Sequence, residues 1–271
     1  MDSKKLRFLF IGAHPDDADL SMGGTALKLI RNGHHVKFVS VCNGDCGHHI
    51  AGGPALAARR KKEAENSASV AGLDGYQVLN HSDCELENTL ENRKEIVRLI
   101  REYAPDVVIS HRVCDYHADH RITAQLVMDS AYILQVPCFC PETPIPKVNP
   151  VYAYAYDNFI VPTAIRPDAV VEIDSVLEDK YKMMDCHISQ FYEWLPFDKG
   201  IKDFSAENWT WEQKKEHLNR FWGARFHAEA EFAGTQLEKR YGHPVKHAEI
   251  FEYSPYGREV TQEEFQALFP L

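Results

Sequence analysis

Two short clusters of histidine and aspartate give this 271-residue chain its chemical interest: His14-Pro15-Asp16-Asp17 and Asp115-Tyr116-His117-Ala118-Asp119-His120. An imidazole nitrogen and a carboxylate oxygen are both ligands that zinc accepts, so His14 and Asp17 can begin a metal site. Asp16, between them, is left free to take up a proton. The same stretch can also be read as a helix N-terminus for which Asp19 and Ser21 are suitable caps. His117 and His120, three residues apart, can serve as two ligands or as one ligand and one catalytic imidazole. A lone pair of surface histidines would mean little. Two clusters that each follow an apolar run are harder to dismiss.

Those runs are the elements that must position the clusters. Residues 6–12 read as a first buried strand and residues 105–110 as another of parallel type, so both clusters fall at strand C-terminal ends, where open α/β sheets bind ligands. Between them the pattern alternates. A short helix is expected over 24–32, a strand over 35–42, and a helix over 54–71 with Pro54 in its first turn and Gly72 as its stop. A strand near 76–79 and a helix over 90–103 follow. The second cluster leads into a helix over 118–135, with Asp119 as its expected cap. The alternation predicts an α/β fold: a Rossmann-like, mostly parallel sheet with helices on both faces and right-handed crossovers. Residues 136–150, rich in proline, are expected to form a loop that rims or lids the site. Strands at 151–156 and 169–173 would join the sheet, and a helix over 175–192 carries Lys182 and His187. His187 reads as a buried structural histidine at least as readily as a catalytic one.

The organisation expected is one domain over 1–271, with a core at about 6–192 and an aromatic-rich helical extension at about 193–271. That extension holds Trp194, Trp209, Trp211 and Trp222 with Phe197, Phe204, Phe221 and Phe226. Such aromatics are mainly core, with smaller shares for subunit contacts or stacking on a sugar. The role of His243, in a Gly-His-Pro turn, is left open. The formal net charge of −10 argues against nucleic acid as partner. No apolar run is long enough to cross a bilayer and no signal-like segment is visible, so no membrane partner and a cytoplasmic location are expected. Seven cysteines at irregular spacing do not describe a disulfide framework. Cys138 and Cys140 lack the second pair that a metal knuckle needs. Arg59-Arg60-Lys61-Lys62, followed by Glu63 and Glu65, reads mainly as a solvated helix face.

Ala13-His14-Pro15-Asp16-Asp17 and His117-Ala118-Asp119-His120 together resemble the paired signatures of the PIG-L/LmbE-like zinc-dependent N-deacetylases. The resemblance spans most of residues 6–192 and extends to the segment Gly44-Asp45-Cys46-Gly47-His48-His49, to Arg60 and Glu63, and to Lys182 and His187-Ile188-Ser189-Gln190. It implies one zinc per chain held by His14, Asp17 and His120, with Asp16 as general base. His117 would be electrophilic stabiliser and proton donor, Asp119 would orient an imidazole, and Arg60 would face the substrate. The chain departs from the commonest pattern in having Ala18-Asp19 where an acid usually follows Asp17 directly. Beside the resemblance, His49, next to His48 in the glycine-rich loop, and Asp83 are expected to touch substrate because they lie on the same sheet edge.

The activity expected is removal of an N-acyl group, foremost acetyl, from a small amino-sugar conjugate such as an N-acetylglucosaminyl compound. An amidase acting on non-sugar linear amides or thiol conjugates would share every catalytic residue. A non-catalytic carbohydrate-binding relative would lack the base, against which Asp16 and His117 speak. A nicotinamide oxidoreductase would need Gly-x-Gly-x-x-Gly after the first strand, and Gly12-Ala13-His14-Pro15 breaks that pattern. Homo-oligomer formation is left open.

Overall fold

The computed structural model describes residues 4–201 and 205–271, so the aromatic Phe204 lies outside the described residues. The chain runs β1 (Arg7–Gly12), α1 (Asp17–Arg31), β2 (His35–Cys42), α2 (Gly53–Ala71), β3 (Gly75–His81), α3 (Leu90–Tyr103), β4 (Val107–Ser110) and α4 (Ala118–Ile133). It continues through β5 (Val151–Ala155), β6 (Ala169–Glu172) and α5 (Leu177–Asp185). A π-helical turn, Gln190–Trp194, then leads into α6 (Leu195–Asp198). The remaining elements are α7 (Trp211–Leu218), α8 (Ala224–Phe232), α9 (Gly234–Tyr241), β7 (Ala248–Ser254) and α10 (Gln262–Leu268).

The strands form one sheet in the order β3-β2-β1-β4-β5-β7-β6, in which only β7 runs antiparallel to its neighbours. Strand side chains alternate between faces, and β1 shows why both faces are covered. Phe8 and Phe10 pack with Met22 and Ala26 of α1, whereas Leu9 and Ile11 pack with Val97 of α3 and Leu126 and Val127 of α4. Sequence order reverses between β1 and β4, which are direct neighbours. A crevice opens at such a reversal beyond the strand C-termini. Both histidine-aspartate clusters leave the sheet there. The expected α/β sheet with helices on both faces is the fold observed.

Four local expectations need correction. Helix α1 begins at Asp17, not near residue 24, because Gly24 is a packing glycine inside the helix: a Cβ there would lie 2.6 Å from Ile173 Cγ2. Asp19 and Ser21 therefore sit within α1 and are not its caps. Asp119 does not cap α4 either; His117 is the N-cap, and its side chain accepts from the Asp119 backbone N–H. Residues 136–150 are not a lid. Arg101, buried under them, donates to the carbonyls of Ile133, Leu134, Val136, Phe139, Cys140 and Thr143 and pins the segment to α3. Last, the C-terminal region is not only a helical extension, since β7 enters the sheet between β5 and β6. Among the described residues, no helix is long and apolar enough to cross a membrane.

Candidate active site

Asp17 occupies the first turn of α1 and is fixed by the backbone that precedes it. The N–H groups of Ala13 and His14 donate to its Oδ2, at 2.9 and 2.7 Å, and His111 Nε2 lies 3.1 Å from the same oxygen. Oδ1 is left to face His120 Nε2, 3.4 Å away. His120 Nε2 also lies 3.3 Å from His14 Nδ1, and His14 Nδ1 lies 3.7 Å from Asp17 Oδ2. Donor atoms on a zinc at 2.0–2.2 Å with tetrahedral angles stand about 3.3–3.6 Å apart, and the separations of His120 Nε2 from His14 Nδ1 and from Asp17 Oδ1 fall in that range.

The outer nitrogens of both imidazoles are backed by carboxylates. His14 Nε2 lies 3.1 Å from Asp119 Oδ2, and His120 Nδ1 lies 3.2 Å from Asp115 Oδ2. Carboxylates so placed fix the tautomer that turns the other nitrogen's lone pair toward a metal. His120 is further held by flat stacking on His111, with ring centroids 4.0 Å apart. Burial opposes charge on His120, but Asp17 and Asp115 override it and raise its pKa to about 10. Its partner Asp17 is held well below the ordinary carboxylate range by His120 and His111, against the effect of burial. A site that holds a proton this firmly has the negative charge to hold a cation in its place. His117 also stands with His14 and His120 in a three-histidine group.

Asp16 occupies the N-cap position of α1 yet makes no capping hydrogen bond. Its Oδ1 instead accepts from Arg60 at 3.0 Å. Burial raises its pKa; Arg60 opposes that shift and Asp17 reinforces it, leaving the carboxyl above its usual range. Arg60 is only 2 % exposed and extends behind Asp16 toward Asp83, 3.5 Å away. Space for it is made by Gly44 and Gly47, where a Cβ would lie 2.5 Å and 2.8 Å from its side chain. Asp83 in turn accepts from the Gly44 N–H at 2.8 Å. The side chains of Arg60 and Asp83 both line the cleft but are largely occupied with one another, with Asp16 and with the loop after β2. Since His117 Nδ1 accepts the Asp119 N–H, the neutral ring carries its proton on Nε2. Burial, and the neighbouring His14 and His120, lower the His117 pKa and favour that neutral form.

The cleft around these groups holds about 550 Å³ and is lined on its outer side by Tyr116, Tyr156, Asp157, Asn158, Phe159, Trp194, Trp222 and Arg225. This is a polar floor under an aromatic rim, a form suited to a small ligand with polar and apolar faces. Trp194 and Trp222 from the C-terminal region thus reach the cleft, while Phe226 is buried in the core. His49 does not line it; its ring stacks on Phe197 with centroids 4.1 Å apart. His48 lies 2.9 Å from Glu193, which also binds Arg59. His187 is wholly buried, 3.1 Å from Asp19, and His243 is exposed away from the cleft. Cys138 and Cys140 belong to no metal-competent cluster among the described residues. The sequence reading did not single out His111 and gave no role to Asp115, the first residue of the second cluster. Both lie in the segment after β4, whose proximity to His117 and His120 was the available signal.

Residues 9–131 match the PIG-L family, described as GlcNAc-PI de-N-acetylase. The chain is 32 % identical over 210 residues to a diacetylchitobiose deacetylase of Thermococcus kodakarensis, covering 74 % of this chain and 77 % of the relative. A solved structure of an N,N'-diacetylchitobiose deacetylase from Pyrococcus horikoshii, bound to an inhibitor, superposes with a TM-score of 0.72 at 28 % identity, over 92 % of this chain and 84 % of that one. A 4-oxalmesaconate hydratase of Pseudomonas putida is 23 % identical over 215 residues, 74 % of this chain and 83 % of the relative.

Proposed function

The chain belongs to the PIG-L family of GlcNAc-PI de-N-acetylases, and from that premise we propose that it is a zinc-dependent hydrolase removing the N-acetyl group of a small amino-sugar conjugate. The observation that carries this reading is the division of labour between adjacent aspartates. Asp17 turns an oxygen toward the two histidines, while Asp16 is drawn away from them by Arg60 and kept free. His14, Asp17 and His120 are the residues that would hold the zinc. When bound, that ion supplies Lewis acidity, polarising an amide carbonyl and making water a stronger acid.

The chain's own residues do the rest. Asp16 accepts the proton of the attacking water on a carboxylate whose raised pKa brings it closer to neutral pH, where a general base is most effective. Arg60 positions that carboxylate and Asp83 positions Arg60. His117, with its proton on Nε2, hydrogen-bonds the oxyanion as it develops, and the proton that Asp16 has taken from water passes to the departing amine. Asp119 and Asp115 orient His14 and His120. The aromatic rim, with Trp194 and Trp222, offers flat surfaces for a sugar ring.

Relatives of this family include both sugar deacetylases and a hydratase, so a non-sugar substrate is the reading to exclude. The zinc-loaded protein is to be assayed for acetate release from diacetylchitobiose, N-acetylglucosaminyl conjugates and acetyl-lysine. The proposal predicts a kcat/KM for at least one acetamido sugar well above that for acetyl-lysine. Equal values across the panel would make the protein a general amidase, and no acetate from any substrate would set the deacetylase reading aside.

A further inference from the structure

Among the described residues, the arginine and lysine side chains that line the cleft are Arg60 on its floor and Arg225 at its rim. Arg60 is committed, with Asp16 at 3.0 Å and Asp83 at 3.5 Å. Arg225 is committed only in part. It belongs to α8, and its Nε donates to Glu229 Oε1 one turn on while its Nη2 donates to the Tyr156 carbonyl, each at 3.1 Å. These two bonds fix the plane of the guanidinium, whose carbon lies 5.9 Å from the Tyr156 ring centroid. Nη1 has no protein partner among the described residues, and the side chain is 28 % exposed. Glu229 does not fully cancel the charge either, because burial raises its pKa to about 7 and leaves part of the population uncharged near neutral pH. The other acid at the rim, Asp157, is matched by Arg112 at 3.0 Å. Trp222, Arg225 and Ala228 recur every third residue along one helical segment, and all three line the cleft. Side chains at that spacing are neighbours on one face, about 5–6 Å apart at Cβ, so a sugar ring stacked on Trp222 presents its outward substituent to Arg225.

We propose that Arg225 is a specificity-determining residue that binds an anionic oxygen group, a carboxylate or a phosphate, on the part of the substrate beyond the sugar ring. The substrate class is then an acetamido sugar whose aglycone carries negative charge, an inference that rests on the amino-sugar reading of the same cleft. A guanidinium already fixed in orientation loses little freedom on pairing, and its free N–H groups match the oxygens of a carboxylate or phosphate. The chain as a whole, at a formal −10, repels anions at long range. A local cation is therefore what lets an anionic conjugate bind. A neutral aglycone gains nothing from that cation, so Arg225 sets the difference in affinity between the two kinds of substrate.

The test compares three derivatives of N-acetylglucosamine that share one anomeric configuration and differ at the anomeric oxygen: the methyl glycoside, the carboxymethyl glycoside and the 1-phosphate. Acetate release by the zinc-loaded chain gives kcat and KM for each. Affinities are measured in parallel by titration calorimetry on zinc-loaded Asp16→Asn, in which turnover is suppressed. At least one of the two anions should show KM and Kd about tenfold or more below those of the methyl glycoside, the usual effect of a hydrogen bond to a charged group, with kcat little changed. The anion that gains more identifies the group the site takes. Arg225→Gln should bring the three KM values together. Ala228→Glu, a change at an exposed helix position that sets a carboxylate one turn from Arg225, should also remove the anion preference, and it decides the matter should Arg225→Gln fail to fold. Equal values for all three compounds on the native chain, or an anion preference undiminished in either variant, would overturn the assignment. If no compound releases acetate, the deacetylase reading fails, while the calorimetric ranking still decides whether Arg225 binds the anion.

Discussion

In the cleft between β1 and β4, Asp16, Asp17, Asp115 and Asp119 surround histidines whose inner nitrogens point at one another. Beneath α5 a second polar cluster is just as deeply placed, but its charges meet directly. Lys180 Nζ lies 2.5 Å from Glu249, whose carboxylate also accepts the Gly24 and Thr25 N–H groups, and Lys180 donates to the Leu20 carbonyl. Its ammonium sits 3.6 Å from the Phe226 ring centroid. Glu229, beside it, is paired with Arg225 at 3.1 Å. One cluster is closed and satisfied by the chain itself. The other is open on one side, with imidazole and carboxylate donor atoms facing one another beside the cleft. Burial of charge alone therefore does not mark a functional site; the distinguishing sign is donor atoms facing each other across an accessible gap.

Metal removal should separate the two clusters most sharply. Chelation should abolish acetate release and leave the helical circular dichroism largely intact, because the sheet core of Phe8, Phe10, Leu9 and Ile11 owes nothing to a metal. Loss of fold on chelation would show the cleft cluster to be structural. Next in size, Asp16→Asn should lower turnover by about 10²–10⁴-fold, the usual worth of a general base, with zinc content unchanged. Turnover close to that of the native chain, with metal retained, would remove Asp16 from the mechanism.

For the closed cluster the effects should fall on stability. Lys180→Met strands Glu249 without its counter-charge and should cost about 3–5 kcal/mol in denaturant unfolding, the range for breaking a buried pair. The zinc stoichiometry should not change. The smallest effect is a pH dependence. Burial chiefly, with Glu249 adding to it, raises the Glu229 pKa to about 7 from its ordinary 4.5. The folded chain then binds a proton that the unfolded chain has released, so native stability falls as pH rises from about 4.5 to 7. Glu229→Gln lacks this term and should gain on the native chain across that window by up to ~3 kcal/mol. Parallel pH curves for the two proteins would show that Glu229 titrates normally.

How much of this could be read in the sequence follows the same division. His14, Asp16, Asp17, His117, Asp119 and His120 lie in two contiguous motifs after apolar strands, so both their grouping and the sheet that unites them were visible. Asp115, though part of the second motif, and His111 received no role because their part is purely geometric, one behind His120 and the other against Asp17. The closed cluster hid an entire strand. Glu249 and Glu252 interrupt the apolar pattern of β7, and nothing local announces that Lys180 and two helix N–H groups will satisfy the first of them. The start of α1 was obscured by Gly23-Gly24, which reads as a break but serves close packing, Gly23 against Lys180 and Met183 and Gly24 against Ile173. Arg101 is a third case: a single buried guanidinium turns a proline-rich loop, which locally looks like a lid, into a segment fixed against α3.

Anomalous X-ray scattering from crystals of the zinc-loaded protein tests the three-donor site most directly. The prediction is one zinc per chain, bound by His14 Nδ1, Asp17 Oδ1 and His120 Nε2 at about 2.0–2.2 Å, with a coordination position open to the cleft and Asp16 not bound to the metal. Zinc closed off by a fourth protein side chain, or bound through Asp16 in place of Asp17, would contradict it.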